Sequence, residues 1–188
     1  MPQLYIIAGC NGAGKTTASY TILPEILNCK EFVNADEIAK GLSPFQPEKV
    51  AIEAGRIMLN RIDNLLHNNE NFAFETTLAT RNYIKLIQKA QAKNYTVTLL
   101  YFWLSSVDLA IERVKYRVSS GGHNISKDVI LRRYNAGLKN LSKLYMPICD
   151  DWLVIDNSET PLQIIAEKTK NGQISIYKDS IYSKIMEL

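Results

Sequence analysis

The chain has 188 residues, 46% of them hydrophobic and 22% charged, with a formal net charge of +3. That length suits one domain with a real core and is short for two, and the composition excludes disordered and fibrous classes. So weak a charge gives no general attraction to nucleic acid, and three scattered cysteines (Cys10, Cys29, Cys149) make neither a disulfide framework nor a zinc motif, which fits a reducing cytoplasm.

The first predicted element is a buried strand over 4–8, running straight into Gly9-Cys10-Asn11-Gly12-Ala13-Gly14-Lys15-Thr16. Within it, "IAGC" has the look of a lipobox. A secretory signal needs a positively charged start and an apolar segment of roughly 7–15 residues; "MPQLYIIAG" supplies neither. The other parse is G-x-x-x-x-G-K-[ST], a phosphate-binding loop, flanked as required by an apolar strand and a helix predicted over 15–28. Glycines there let successive backbone N–H groups point at phosphate oxygens with no Cβ in the way. Gly9, Asn11, Gly12, Ala13, Gly14, Lys15, Thr16 and Thr17 are therefore the expected nucleotide-binding residues, with Lys15 on the β/γ-phosphates of ATP and the Thr16 hydroxyl on Mg²⁺.

A second strand over 31–34 ends in Asn34-Ala35-Asp36-Glu37, which places carboxylates at the carboxyl edge of a sheet beside the phosphate loop. Asp36 there can accept a proton from an attacking hydroxyl, or cap the helix that follows, and one residue can do both. A long helix over 47–68 opens on Pro47 and carries Ala51, Ala54, Met58, Ile62 and Leu65 on one face. The third strand, 71–75, delivers Glu75 to the same edge, followed by Thr76 and Thr77. Glu75 could bind Mg²⁺ through water or orient an acceptor hydroxyl, with the two threonines donating hydrogen bonds to substrate; a solvated strand end is the plainer alternative.

The longest apolar run, at 95–104, is about half the length needed to cross a bilayer and reads as a buried fourth strand over 96–103; no membrane contact is expected. Ser105-Ser106-Val107-Asp108 is a capping-box-like start for a helix to about 118. Arg113 and Arg117 stand four apart on it, repelling each other mildly unless an anion lies between them. The composition of "SSGGHNIS" predicts a flexible hinge, after which Ser126 can cap a helix with Ile130, Tyr134, Leu138 and Leu141 on one face and Arg132 and Arg133 beside them. Residues 113–133 are thus expected to form an arginine-bearing lid over ATP. His123, in the hinge, is a candidate phosphate or substrate contact whose role stays open. A fifth strand over 152–155 follows, and the tail after Ser158 is expected to add an edge strand and a closing helix. The alternation predicts an α/β fold over 1–188, a five-stranded parallel sheet with helices on both faces.

Taken in order, "GCNGAGKTT", "NADEIAKGLSP", "FAFETTL" and "ERVKYRVSSGGHNIS…RRY" resemble the zeta toxin family of P-loop kinases over about residues 4–158. The resemblance implies transfer of the ATP γ-phosphoryl to the amino-sugar hydroxyl of UDP-N-acetylglucosamine, which blocks bacterial cell-wall synthesis, and an antitoxin protein as partner. It implies that Lys15 and Thr16 bind phosphate and Mg²⁺, that Asp36 is the base, that Glu75 is the family's third-strand acid and that Arg113 stabilises the transferred phosphoryl. A second arginine is matched by Arg117 or Arg133, and the choice stays open. The chain is shorter than the larger family members, which bears on the acceptor more than on the phosphoryl donor. The residues themselves also admit a kinase for another sugar, a nucleoside or a polynucleotide end, and a switch that hydrolyses ATP. A polynucleotide would want a basic groove with stacking aromatics, which the modest charge does not supply.

Overall fold

The computed structural model describes residues 1–122 and 124–188, so His123 lies outside the described residues. Its first five strands are β1 (Gln3–Gly9), β2 (Glu31–Val33), β3 (Phe72–Thr76), β4 (Thr96–Trp103) and β5 (Asp151–Asp156), at the five apolar runs. They lie parallel in the order β2–β3–β1–β4–β5. The strands β1 and β4, flanked on both sides and covered on both faces, are apolar almost throughout, as buried parallel strands must be. Two further strands, β6 (Gln163–Lys168) and β7 (Ile174–Ile176), run antiparallel beyond β5. The expected five-stranded sheet is thus the parallel part of a seven-stranded one, and the tail adds two strands, with β7 at the edge, where one was foreseen.

Among the described residues seven α-helices accompany them: α1 (Lys15–Thr21), α2 (Ala35–Leu42), α3 (Ala51–His67), α4 (Tyr83–Ala92), α5 (Val107–Ser119), α6 (Lys127–Asn140) and α7 (Asp179–Met186). Alternate strand residues feed two cores. Leu4, Ile6, Phe72, Phe74, Leu99 and Tyr101 pack with α3, α4 and α6 on one face; Tyr5, Ile7, Ala73, Leu100 and Phe102 pack with α5 and the phosphate loop on the other. Helices therefore cover both faces, as expected. Among the described residues no helix is long and apolar enough to cross a membrane.

Three local outcomes differ from the sequence reading. The helix predicted over 15–28 stops at Thr21 and widens into a π-turn over Ile22–Ile26, because Pro24 has no N–H for the α-helical bond; the Leu27 N–H reaches back to Ile22 O at 3.0 Å instead. The helix predicted from Pro47 begins as a 3₁₀ turn, Pro47–Val50, before α3. The helix α4 was not foreseen, since only Ile87 and Ala90 on it are fully buried and its apolar face is thin.

All five parallel strands end at one edge, so the segments after β1, β2, β3, β4 and β5 gather there. The central strand β1 has β3 on one side and β4 on the other, and the crevice beyond it is where an open α/β sheet takes its ligands.

Candidate active site

The strand β1 ends at Gly9 and the chain loops back to start α1 at Lys15. Gly12 takes φ +81°, and a Cβ there would stand 2.7 Å from Ala110 O of α5, so loop and helix approach backbone to backbone. Several hydrogen bonds pin the loop from behind. The Ala13 N–H donates to Cys10 O (3.2 Å), Asn157 Nδ2 donates to Ala13 O (2.8 Å) and Arg133 Nη1 donates to Asn11 Oδ1 (3.2 Å). Of the expected nucleotide-binding residues, Asn11, Gly12, Gly14, Lys15, Thr16 and Thr17 line a cleft of about 470 Å³, while Gly9 and the fully buried Ala13 support the loop beneath it. Cys10 is buried too, and burial pushes its thiol up to about 11, so it stays a neutral thiol.

Glu75 is the hub under the loop. Lys15 Nζ lies 3.5 Å from Glu75 Oε1 and donates to Cys10 O at 2.9 Å. Thr16 Oγ1 donates to Glu75 Oε2 at 2.7 Å, and Asn34 Nδ2 donates to the same oxygen at 2.9 Å. The Lys15 and Glu75 side chains are only 6% and 10% exposed, so each compensates the other's buried charge. One hydroxyl and one carboxylate in direct contact are the sparse, all-oxygen donor set that Mg²⁺ takes beside phosphate oxygens and water, and Thr16 and Glu75 fit it. Among the described residues no cluster of three or more His, Cys, Asp or Glu side chains could hold a metal unaided.

The cap of α2 is Asn34 and not Asp36. Asn34 Oδ1 accepts from the Asp36 N–H (2.9 Å) while its Nδ2 holds Glu75, so one amide starts the helix and braces the acid of the neighbouring strand. Sequence reading missed this residue, although an Asn immediately before a helical pattern is among the strongest capping signals. Released from capping, Asp36 is exposed and lines the cleft with Glu37 and Lys40.

Across from α2, α5 presents Arg113 and Arg117 to the cleft. Ser106 caps this helix, accepting from the Leu109 N–H at 3.1 Å, as the sequence suggested. Arg113 Nη2 donates to Ser158 O (2.9 Å), which ties α5 to the segment after β5. Of the two candidates for a second arginine, Arg117 lines the cleft and Arg133 sits at the flank of the phosphate loop on Asn11. The Gly121-Gly122 pair, read as a flexible hinge, closes α5 as a hydrogen-bonded cap. Gly121 takes φ +84°, its N–H donates to Val118 O (3.0 Å), and the Gly122 N–H donates to Arg117 O (2.8 Å). Ser126 stands at the start of α6 without a side-chain cap bond.

The structure sets Thr76 and Thr77, the expected substrate contacts, apart from the cleft. Strand alternation turns Thr76 to the face opposite Glu75, where its hydroxyl accepts from the Leu78 N–H at 3.1 Å. The helix α6 passes so close over Thr77 that a Cβ on Gly137 would lie 2.6 Å from Thr77 O. Neither threonine lines the cleft. Asn157, bonded to the loop from the end of β5, is the other loop-supporting position the sequence did not reveal, since only the fold brings it to Ala13.

Comparison with known proteins agrees with this architecture. A relative from Haemophilus influenzae, described as an uncharacterized protein, is 29% identical over 126 residues, 67% of this chain and 88% of its own. Among solved structures, a chain of the AvrRxo1-ORF1:AvrRxo1-ORF2 complex, crystallised with sulphate ions and also with ATP, superposes with a TM-score of 0.78 at 17% identity. The match covers 99% of this chain and 64% of that one, so the present chain spans under two thirds of it. A structure from the PezAT chromosomal toxin-antitoxin system of Streptococcus pneumoniae superposes at 0.70 with 16% identity, over 100% of this chain and 84% of that one. At such identities the superpositions establish a shared fold. The family itself is fixed by the zeta toxin sequence model, which matches residues 1–179 and leaves only part of α7 and the last residues outside it: the chain belongs to the zeta toxin family of P-loop phosphotransferases.

Proposed function

We propose that the protein transfers the γ-phosphoryl of ATP, with Mg²⁺, to a hydroxyl of UDP-N-acetylglucosamine or a related nucleotide sugar. The observation that carries this reading is the place of Asp36. With Asn34 doing the capping, its carboxylate opens on the cleft that Lys15, Thr16, Arg113 and Arg117 also line. A switch that only hydrolyses ATP needs a positioned water, whereas an alcohol acceptor needs a base for its proton. Asp36 takes that proton as the acceptor oxygen attacks the γ-phosphorus and ADP departs. Lys15, Arg113 and Arg117 offset the charge on the phosphoryl oxygens during transfer. Mg²⁺, which Thr16 and Glu75 would hold, supplies charge neutralisation at the phosphate oxygens.

The AvrRxo1 complex solved with ATP supports ATP as donor. The PezAT structure belongs to a toxin-antitoxin system, and we extend that arrangement here to a protein antitoxin as partner. Three free, buried cysteines suit the reducing cytoplasm in which we place the reaction. The test is incubation with γ-labelled ATP and a panel of acceptors: UDP-N-acetylglucosamine, other nucleotide sugars, free sugars, nucleosides and polynucleotide 5′ ends. Label on the nucleotide sugar is the expected result. Label on a different acceptor, or ATP turnover with no labelled acceptor, overturns the reading.

A further inference from the structure

The net charge of +3 hides how the charge is distributed. Between Glu75 and Asp108 the chain has no acidic residue and four basic ones, Arg81, Lys85, Lys89 and Lys93, each four positions after the last. With those four of its 22 Lys and Arg set aside, and none of its 19 Asp and Glu, the rest of the chain is slightly acidic. Lys85 and Lys89 lie within α4, Arg81 just before it and Lys93 at its C-cap, and all four are exposed. Four helical residues advance about 6 Å and turn about 40° past a full turn. The four cations therefore form a strip on the order of 18 Å long over the outer side of α4.

This strip runs against the local preferences of a helix. Each four-residue step sets two like charges side by side. Arg81 and Lys85 stand at the N-terminus, where the helix dipole disfavours cations, and the first turn has no acid to offset them. The N-cap, Asn82, makes no side-chain bond, whereas Asn34 and Ser106 cap α2 and α5. Asp63 of α3 pairs with Lys89 at 2.7 Å, but both side chains are more than half exposed, so the pair is weak. Among the described residues Arg81, Lys85 and Lys93 take part in no ion pair. Proteins break local rules together where function asks for it, and a polyanion lying along the strip would turn each of these costs into a gain.

The surroundings of the strip select its occupant. No large apolar side chain from 77 to 95 is exposed, because Tyr83, Ile84, Leu86, Ile87 and Ala90 all pack against the core. A stable protein partner wants an apolar, charge-depleted centre, and a membrane-bound helix wants an apolar face to bury; α4 offers neither. A nucleic acid asks only for cations. A duplex carries one phosphate charge per about 1.7 Å of axis, so on the order of ten lie along 18 Å. We infer that the exposed face of α4 docks the phosphate backbone of a nucleic acid, with Arg81, Lys85, Lys89 and Lys93 each meeting a phosphate. With no exposed aromatic ring to stack a base, the strip binds without regard to sequence. No residue of the strip lines the catalytic cleft, so this docking goes beyond the phosphoryl transfer proposed above and stands or falls without it.

The test is the salt dependence of binding. Short labelled duplexes, one of DNA and one of RNA, are titrated by fluorescence anisotropy from about 50 to 200 mM salt. Mg²⁺ and a non-hydrolysable ATP analogue fill the phosphate loop, so that the cations of the cleft do not compete. Four phosphate contacts predict a slope of about −3.6 in log K against log salt for the DNA, a loss of about a hundredfold over that range, whatever its sequence. The double variant Lys85→Gln/Lys93→Gln is expected to bring the slope to about −1.8. Lys30→Gln/Lys184→Gln removes the same net charge from exposed positions elsewhere and is expected to leave the slope unchanged. Losing no core contact and relieving like-charge repulsion, the α4 variant should melt no lower than wild type. A preference for one duplex supports the inference and identifies the nucleic acid. No duplex binding at about 50 mM salt, a wild-type slope in the α4 variant, or an equal change in the control variant overturns it. Tighter binding to phosphatidylserine vesicles or to poly-glutamate than to either duplex overturns it in favour of a membrane or an acidic protein.

Discussion

Beneath the phosphate loop, polar side chains hold one another: Lys15, Thr16 and Asn34 converge on Glu75, Asn157 supports Ala13 and Arg133 supports Asn11. Across the cleft, Asp36 and Lys40 are exposed, and so is Tyr116 at 76%. The donor half is thus assembled before any ligand arrives, which spares reorganisation at the moment of reaction. In the proposed reaction the acceptor half keeps Asp36 open to water until a substrate covers it. Rigid support is spent on the phosphates, and recognition is left to exposed side chains.

Substitutions on the two sides should separate the halves. The largest effect is expected from Arg113→Ala, with kcat falling on the order of 10³-fold or more; a change confined to ATP affinity would move Arg113 out of the transition state and into donor binding. Next comes Asp36→Asn, expected to cost on the order of 10²–10⁴ in kcat with ATP binding retained, measured by calorimetry beside turnover. An unchanged rate would take Asp36 out of the mechanism.

On the donor side the readout is stability. Asn34→Ala loses both the α2 cap and the bond to Glu75, and should lower unfolding free energy in urea by about 2 kcal/mol. Asn34→Asp keeps the cap but sets a second carboxylate against Glu75; if it proved as stable as wild type, the Asn34–Glu75 bond would contribute nothing.

The smallest effect concerns the segment that carries Asn157 and Ser158. Partial burial pushes the Asp156 carboxyl up, but hydrogen bonds from Lys178 Nζ (2.9 Å) and the Ser158 N–H (3.0 Å) outweigh it and hold the group below its usual range. Its folded value lies under its unfolded one, so its stabilisation is complete above about pH 4 and is lost as the pH falls through the lower folded value. Lys178→Met should remove about 1 kcal/mol or less at neutral pH and make the acid limb of the stability profile shallower. An acid limb identical to wild type would leave Asp156 without this role.

What could be read in the sequence follows the same division. The strands β1 and β4 are legible because central parallel strands are apolar on both faces, and the phosphate loop because its residues are contiguous. Asn157 is illegible, since its partner lies 144 positions away. Thr76 was misplaced by adjacency to Glu75, when the two-residue period of a strand already sends neighbours to opposite faces. The strand β6 went unseen because its apolar core is short, with only Ile165 and Ala166 buried.

The central claim, a ready donor half waiting for an acceptor hydroxyl, is tested most directly by the coupling of ATP consumption to acceptor. ADP formation should be slow with ATP and Mg²⁺ alone, rise sharply when UDP-N-acetylglucosamine is added, and match phosphorylated sugar mole for mole. ATP turnover at the same rate with and without the nucleotide sugar, with all γ-phosphoryl recovered as inorganic phosphate, would contradict it.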